Sequence, residues 1–138
     1  MAIDTTTMFT VGDVEDRVRE ILLDTYVNSY RFEPKEIYRA LQSAIDRVRL
    51  LKPSSRYVRG NIVGAMFVDE NGDTYPIPAS YDDVTVSDFR AKFVNMERRW
   101  LDAVVFYVVH RMYLKDDPDT SNANLAARYL ELHTEALG

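Results

Sequence analysis

The sequence contains no cysteine and only two histidines, His110 and His133. Without cysteine, disulfide bonds, thiolate metal sites and a cysteine nucleophile are all excluded. Neither histidine has a second one at the spacing of a metal-binding pair, so each is expected to be a structural side chain. The five glycines match neither a phosphate-binding loop nor a dinucleotide fingerprint. We therefore predict no catalytic residue, no bound metal and no cofactor.

The sequence also lacks long apolar runs and an excess of basic charge. No apolar run reaches the roughly 18 residues needed to span a membrane. The 17 basic and 22 acidic residues give a net charge of -5, which argues against non-specific binding of duplex DNA through the overall field. The first seven residues lack the basic and apolar segments of a secretory signal. We expect a single domain over residues 1–138 that folds in the cytoplasm.

The first elements of the chain are a polar arm and an amphipathic helix. Residues 1–9 are polar and predict a flexible arm. Thr10 is a plausible N-cap, and Asp13 three residues later resembles a capping box with Asp in place of Glu. Apolar residues then recur at helical spacing, at Val14, Val18, Ile21 and Leu22. This pattern predicts a helix over 11–25.

A second helix is predicted over 34–52, after a connection through 26–33. Pro34 occupies a first-turn position, which proline favours. The apolar stripe that follows predicts one buried face, consisting of Ile37, Leu41, Ala44, Ile45, Val48 and Leu51. Pro53 ends the helix because proline disfavours the helical conformation of the residue before it.

The composition changes over residues 56–85, which predict a β-rich insertion. Two possible strands, 60–68 and 74–77, flank a turn that contains Asn71 and Gly72. An Asn-Gly pair favours the positive backbone angles of a tight hairpin turn. Two strands alone are only marginally stable, so the hairpin is expected to lean on helices or on another subunit.

The third long helix is predicted to start at Ser87, with a break near Phe93, and to run to Lys115. Residues 100–114 include only three polar residues among fifteen. A helix that is apolar nearly all round is buried, either centrally in the domain or against other subunits. We place Trp100, Val104 and Val108 in the core with the stripe of the second helix.

A final helix begins near Asp119, Thr120 or Ser121. Its predicted buried face comprises Leu125, Tyr129, Leu132 and Ala136. The predicted fold class is mainly α, a small bundle of about four helices with a β-hairpin or extended-loop insertion between the second and third long helices.

One cluster of positive charge stands out in an otherwise acidic chain. The cluster consists of Arg47, Arg49, Lys52, Arg56 and Arg59. It fits a solvated helix end, an acidic patch on a partner, or nucleic-acid phosphates. The acidic turns that offer a complementary charge contain Asp82, Asp83, Asp116, Asp117 and Asp119. We predict that both sets contact a partner or a neighbouring subunit.

Four features in order resemble one protein family. They are a first helix ending Ile21-Leu22-Leu23-Asp24, a second helix with Glu36-Ile37, Leu41 and Ala44-Ile45, an aromatic, valine-rich helix running into 109–116, and the alanine-rich segment 122–129. Together they resemble the small head-to-tail adaptor (connector) proteins of tailed bacteriophages. The resemblance covers the two ends of the chain, and the insertion departs from it.

The resemblance implies a structural virion protein at the head-to-tail junction. Such subunits form a ring of about twelve copies with heterologous contacts, which require two different complementary faces on each subunit. The ring lies beneath the portal protein, continues the DNA channel for the passing genome and provides a platform for tail or nozzle proteins, with no membrane contact. The alternatives are a helix-turn-helix DNA-binding regulator that reads DNA with the helix at 34–52, and a helical interaction module unconnected with a virus.

Overall fold

The computed structural model describes residues 5–24, 32–58, 64–115 and 120–138. These residues form the elements β1 (Met8–Thr10), α1 (Val11–Leu22), α2 (Pro34–Leu51), β2 (Phe67–Val68), α3 (Asp83–Arg90), β3 (Phe93–Glu97), α4 (Leu101–Lys115) and α5 (Thr120–Leu137). Short 3-10 helices follow α2 at Pro53–Arg56 and precede α4 at Arg98–Trp100. The predicted mainly helical fold with a hairpin insertion is confirmed.

Helix α1 is bounded by specific caps at both ends. The Asp13 N–H donates to the Thr10 hydroxyl at 3.0 Å, and the Thr10 N–H donates to the Asp13 carboxylate at 3.0 Å, so the predicted capping box is present. The helix ends at Leu22 rather than at residue 25, because Leu23 adopts a left-handed conformation with φ of 57°. The Asp24 N–H then donates to the Arg19 carbonyl, which satisfies one terminal acceptor.

Helix α2 buries the predicted stripe against the rest of the molecule. Ile37, Leu41, Ile45 and Val48 are all fully buried, as predicted. Leu51 was predicted to continue the stripe, but it is the last residue of the helix and is exposed.

Two sequence predictions fail at the three-stranded sheet. Residues 93–97 were predicted to be helical, but they form β3, the central strand between β1 and β2. Val94 is paired with Phe9 on one side and with Phe67 on the other, both antiparallel. Met8 and Phe9, predicted to lie in the flexible arm, are buried in β1. The sheet therefore pairs the start of the chain with its middle. The local sequence pattern of each segment does not encode this pairing.

The hairpin turn of the insertion forms, although its strands are shorter than predicted. Gly72 has a φ of 87°, and the Asp69 N–H donates to the Asp73 carbonyl. Beyond β2 the pairing consists of one bridge between Val68 and Thr74, and part of the predicted strand over 60–68 lies outside the described residues. The first strand of the hairpin, β2, pairs with β3 of the same chain.

Helix α4 lies at the centre of the helical layer, where it packs against α5, α2 and α1. Trp100, Val104 and Val108 are buried, as predicted. Helix α5 runs antiparallel to α4. Its buried face is rotated about the helix axis relative to the predicted one. Its fully or nearly fully buried residues are Ala126, His133 and Leu137, whereas Leu125 is exposed and Tyr129, Leu132 and Ala136 are half-buried.

Candidate interface surfaces and a buried ion cluster

The basic cluster predicted to meet a partner divides into internal and exposed side chains. Arg49 is 5 % exposed, and its guanidinium donates hydrogen bonds to the carbonyls of Gly64, Ala65 and Asn95 at 2.6–3.3 Å. Burial lowers the pKa of Arg49, and the positive charge of Arg56 adds to this effect. The prediction that Arg49 contacts a partner is therefore wrong. Through these hydrogen bonds Arg49 of α2 binds both the insertion and β3.

Arg47 and Lys52 donate hydrogen bonds to the last helix and to the residue that follows it in the same chain. Arg47 Nε donates to His133 Nε2 at 3.2 Å, and its guanidinium lies over the Tyr107 ring. Lys52 Nζ donates to the carbonyl of Gly138 at 3.1 Å. These two cations stabilise the packing of α5 on α2 and α4.

The remaining described cation, Arg56, is exposed at the end of an apolar surface. Leu50 and Tyr57 are 74 % and 64 % exposed, and Leu51 is exposed as well. We call Leu50, Leu51, Arg56 and Tyr57 the α2-end ridge. Arg59, the fifth residue of the predicted cluster, lies outside the described residues. A group of exposed large apolar side chains beside a cation is typical of a protein-binding surface.

Of the two aspartates in the acidic turn before α3, Asp82 caps the helix and Asp83 is exposed at the surface. The Thr85 N–H and hydroxyl donate to the Asp82 carboxylate, and these hydrogen bonds hold the pKa of Asp82 below its usual range. Asp82 is therefore the N-cap of α3. Asp83 is exposed in the first turn of the helix. Asp116, Asp117 and Asp119, the other predicted acidic residues, lie outside the described residues.

A cluster of buried charges at the junction of α1, α2 and α3 was missed by the sequence analysis. The Glu15 carboxylate accepts from Arg19 Nε at 2.9 Å, from the Tyr38 hydroxyl at 2.6 Å and from Arg90 Nη1 at 2.8 Å. Arg19 Nη1 also donates to Asp24 at 2.9 Å. We call these five residues the buried ion cluster. Glu15 and Arg19 are only 2 % and 3 % exposed.

In the buried ion cluster the two carboxylates, Glu15 and Asp24, are balanced by the two guanidiniums, Arg19 and Arg90. The pKa of Tyr38 is raised far above its usual value, first by burial and then by its hydrogen bond to Glu15, so the hydroxyl remains a proton donor. Burial lowers the pKa of Arg90, but hydrogen bonds with Asp16 and Glu15 more than offset this and hold it above its usual value. Buried charges that are paired and hydrogen-bonded in this way fix the relative position of the elements that carry them.

One sequence signal pointed to this cluster. Glu15 and Arg19 lie four residues apart on the face of α1 that also carries Val11, Val18 and Leu22. An ion pair at this spacing is normally solvated, but here it falls on the apolar face. Its partners Tyr38 and Arg90 come from distant positions, and no local pattern relates them to Glu15.

An open cleft of about 600 Å³ lies beside the buried ion cluster. Its charged lining consists of Glu15, Asp16, Asp83 and Arg90, three carboxylates against one guanidinium. Its apolar and aromatic lining consists of Pro34, Tyr81 and Val86. We call it the acidic cleft. Its composition suits a partner segment that combines a cation with an apolar side chain.

The described residues contain no group of carboxylates or histidines arranged to hold a metal ion. Asp69 in the hairpin turn accepts hydrogen bonds from the Asn71 N–H, the Asp73 N–H and the Tyr75 hydroxyl. The Tyr75 hydrogen bond is the main cause of the lowered pKa of Asp69. Within the described ranges, none of the helices has the length and apolar character to cross a membrane.

The comparisons with known proteins give no relative from which a function follows. No protein-family model matches the chain, and no curated protein and no solved structure matches it.

Proposed function

We propose that this protein is a structural subunit of a bacteriophage head-to-tail adaptor, which forms a ring beneath the portal protein. The observation that carries the proposal is the resemblance of the segments 109–116 and 122–129 to that family. Residues 109–115 of the first segment belong to α4 and the second segment belongs to α5, and the two helices are antiparallel. This pair is held by hydrogen bonds from His110 Nδ1 to the Ala126 carbonyl and from His133 Nδ1 to the Ala103 carbonyl.

The exposed surfaces of the chain support the same proposal. The α2-end ridge is apolar and basic, whereas the acidic cleft is apolar and negatively charged. A ring built from identical subunits needs two different faces that fit each other. The chain would serve in the virion at the head-to-tail junction, with the portal and tail proteins as its partners and the genome passing through the channel.

The proposal is tested by mixing the purified protein with the portal protein encoded in the same genome. Alone, the protein is expected to be monomeric or weakly associated, because exposed ion pairs contribute only about 0–1 kcal/mol each. With the portal, light scattering should report a complex of defined mass, and electron microscopy should show a ring coaxial with the portal. A stable dimer that ignores the portal would contradict the proposal.

A DNA-binding regulator is the second candidate, because the solvent face of α2 carries Lys35, Arg39 and Gln42. These side chains are of the types that bind phosphates and base edges. The same helix also carries a half-buried Glu36 and an exposed Asp46, and their negative charges disfavour close approach to a duplex. Fluorescence anisotropy with labelled duplex DNA distinguishes the two candidates. Tight, salt-sensitive binding that is lost in the Lys35→Glu, Arg39→Glu variant would favour the regulator over the adaptor.

A further inference from the structure

The α2-end ridge combines three exposed large apolar side chains with an exposed cation. Leu50 and Leu51 end an 18-residue helix, and Tyr57 follows the short 3-10 helix after it. Arg56 adds a positive charge, and it has no ion-pair partner among the residues that the structure describes. A ligand for this surface needs an apolar contact area together with a negative charge.

The acidic cleft has both an apolar contact area and negative charge, and it is concave. Pro34, Tyr81 and Val86 provide an apolar lining, and Asp83 contributes an exposed carboxylate to it. No ion pair involves Asp83 within the described part of the chain, whereas Asp16 is paired with Arg90. Asp83 is therefore the carboxylate that is free to accept a cation from outside.

The two surfaces cannot meet within one molecule. Pro34 lines the cleft at the first residue of α2, and Leu51 belongs to the ridge at its last residue. A helix rises 1.5 Å per residue, so the two surfaces are separated by roughly 25 Å along α2. The ridge of one copy can therefore reach only the cleft of another copy.

We propose that the α2-end ridge of one copy docks into the acidic cleft of the next copy, an inference that rests on the proposed adaptor function. Arg56 lies against Asp83 in this contact, and Tyr57 covers the apolar wall formed by Pro34, Tyr81 and Val86. The contact is heterologous, so its repetition produces a closed ring or an open filament rather than a symmetric dimer. The opposite charges set the register and accelerate encounter, and salt weakens the association.

Disulfide trapping tests this contact directly, because the natural chain has no cysteine. Two exposed positions are changed in separate proteins, Leu50→Cys in the ridge and Ser87→Cys in the cleft lining, and the proteins are mixed under mild oxidation. Both variants keep Arg56, Tyr57 and Asp83. We expect a mixed dimer that forms about tenfold faster than in the matched mixture of Leu50→Cys with Leu114→Cys, because docking raises the local concentration of the two thiols. Leu114 is a suitable control because it is an exposed leucine like Leu50 and belongs to neither surface. Unchanged melting temperatures verify that all variants fold.

The double variant Leu50→Cys, Ser87→Cys should give a ladder of covalent oligomers. The same rate in the control mixture, or equally fast homodimers of Leu50→Cys, would overturn the proposed contact.

A charge exchange provides independent evidence and separates this inference from the adaptor function. Arg56→Glu should reduce assembly on the portal, and adding Asp83→Arg in the same chain should restore it, whereas Arg128→Glu on α5 should leave it unchanged. Ring formation on the portal without trapping between residues 50 and 87 would reject the contact but retain the adaptor function. Trapping without any portal complex would retain the contact but reject the adaptor function.

Discussion

Several charged residues of this protein hold its own elements together, and Glu15 is the clearest example. Its carboxylate accepts three hydrogen bonds, from Arg19, Tyr38 and Arg90, while almost no part of it is exposed. Arg49 acts similarly, with its guanidinium bound to three backbone carbonyls. Each of these side chains joins segments that are far apart in sequence, so each stabilises tertiary structure rather than a single helix.

Removing the charge of Glu15 should destabilise the protein strongly. In Glu15→Gln the guanidiniums of Arg19 and Arg90 lose a common partner in a buried site, and breaking a buried ion pair costs about 3–5 kcal/mol. Urea unfolding followed by circular dichroism measures this change. Asp102→Asn is the matched control, because the Arg17–Asp102 pair is exposed and should contribute about 0–1 kcal/mol. Equal stability of the two variants would show that the buried ion cluster is not stabilising.

At the scale of elements, the position of α5 depends on one buried histidine. His133 Nδ1 donates to the Ala103 carbonyl of α4 at 2.6 Å, and His133 Nε2 accepts from Arg47 of α2 at 3.2 Å. The Ala103 bond needs a proton on Nδ1, and the Arg47 bond needs an unprotonated Nε2, so the two bonds together require the neutral ring with its proton on Nδ1. Burial lowers the pKa of His133, and the charges of Arg47 and His110 contribute to the same effect, although the Ala103 hydrogen bond opposes it. Helix α5 is thereby attached to two other helices through one imidazole.

This attachment predicts a loss of stability in mild acid. The folded-state pKa of His133 lies below the unfolded value of about 6.5, so the unfolded state binds more protons as the pH falls. Stability should therefore be complete above about pH 6.5 and should decrease below it, until the pH falls below the folded-state pKa. Melting temperatures measured from pH 8 to pH 5 test the prediction.

The appropriate comparison is between the two histidines of the chain. His133→Gln should flatten the pH dependence over this range, whereas His110→Gln should retain most of it, because burial is the main cause of the lowered pKa of His133. An identical pH dependence in His133→Gln and in the unsubstituted protein would rule out His133 as its cause.

At the scale of the whole molecule, one core joins the sheet to the helices. Phe9 of β1, Val94 of β3 and the residues of α4 belong to the same buried cluster. Trp100 lies where β3 passes into α4, and it is 7 % exposed. Its position connects the two layers, so a change there affects the entire fold.

Trp100→Ala should lower the free energy of unfolding by about 3–5 kcal/mol, because it leaves a large cavity in the core. Chemical denaturation followed by circular dichroism measures the loss without relying on tryptophan fluorescence. Leu125→Ala on the exposed face of α5 is the control and should change stability by less than about 1 kcal/mol. A small effect at Trp100 would mean that the surrounding side chains collapse into the space.

The sequence by itself determined the elements whose signals are local. The capping box of Thr10 and Asp13, the first-turn Pro34 and the apolar stripe of α2 place the starts of two helices correctly, because caps and periodicity act within a few residues. The Asn71-Gly72 turn and the buried α4 follow for the same reason. Of the α2-end ridge, the sequence singled out only Arg56, as a member of the basic cluster, and it predicted Leu51 to be buried.

Tertiary structure alone decided which residues pair across the chain. Residues 93–97 form a strand because β1 and β2 supply hydrogen-bonding partners on both sides, and strand pairing depends on those distant partners. Arg49 and Glu15 are buried because distant carbonyls, a tyrosine and an arginine satisfy their charges. The acidic cleft likewise exists only after α1 and α3 come together. A single sequence encodes local conformation through short-range sterics and hydrogen bonds, whereas burial of charge depends on groups brought together by folding.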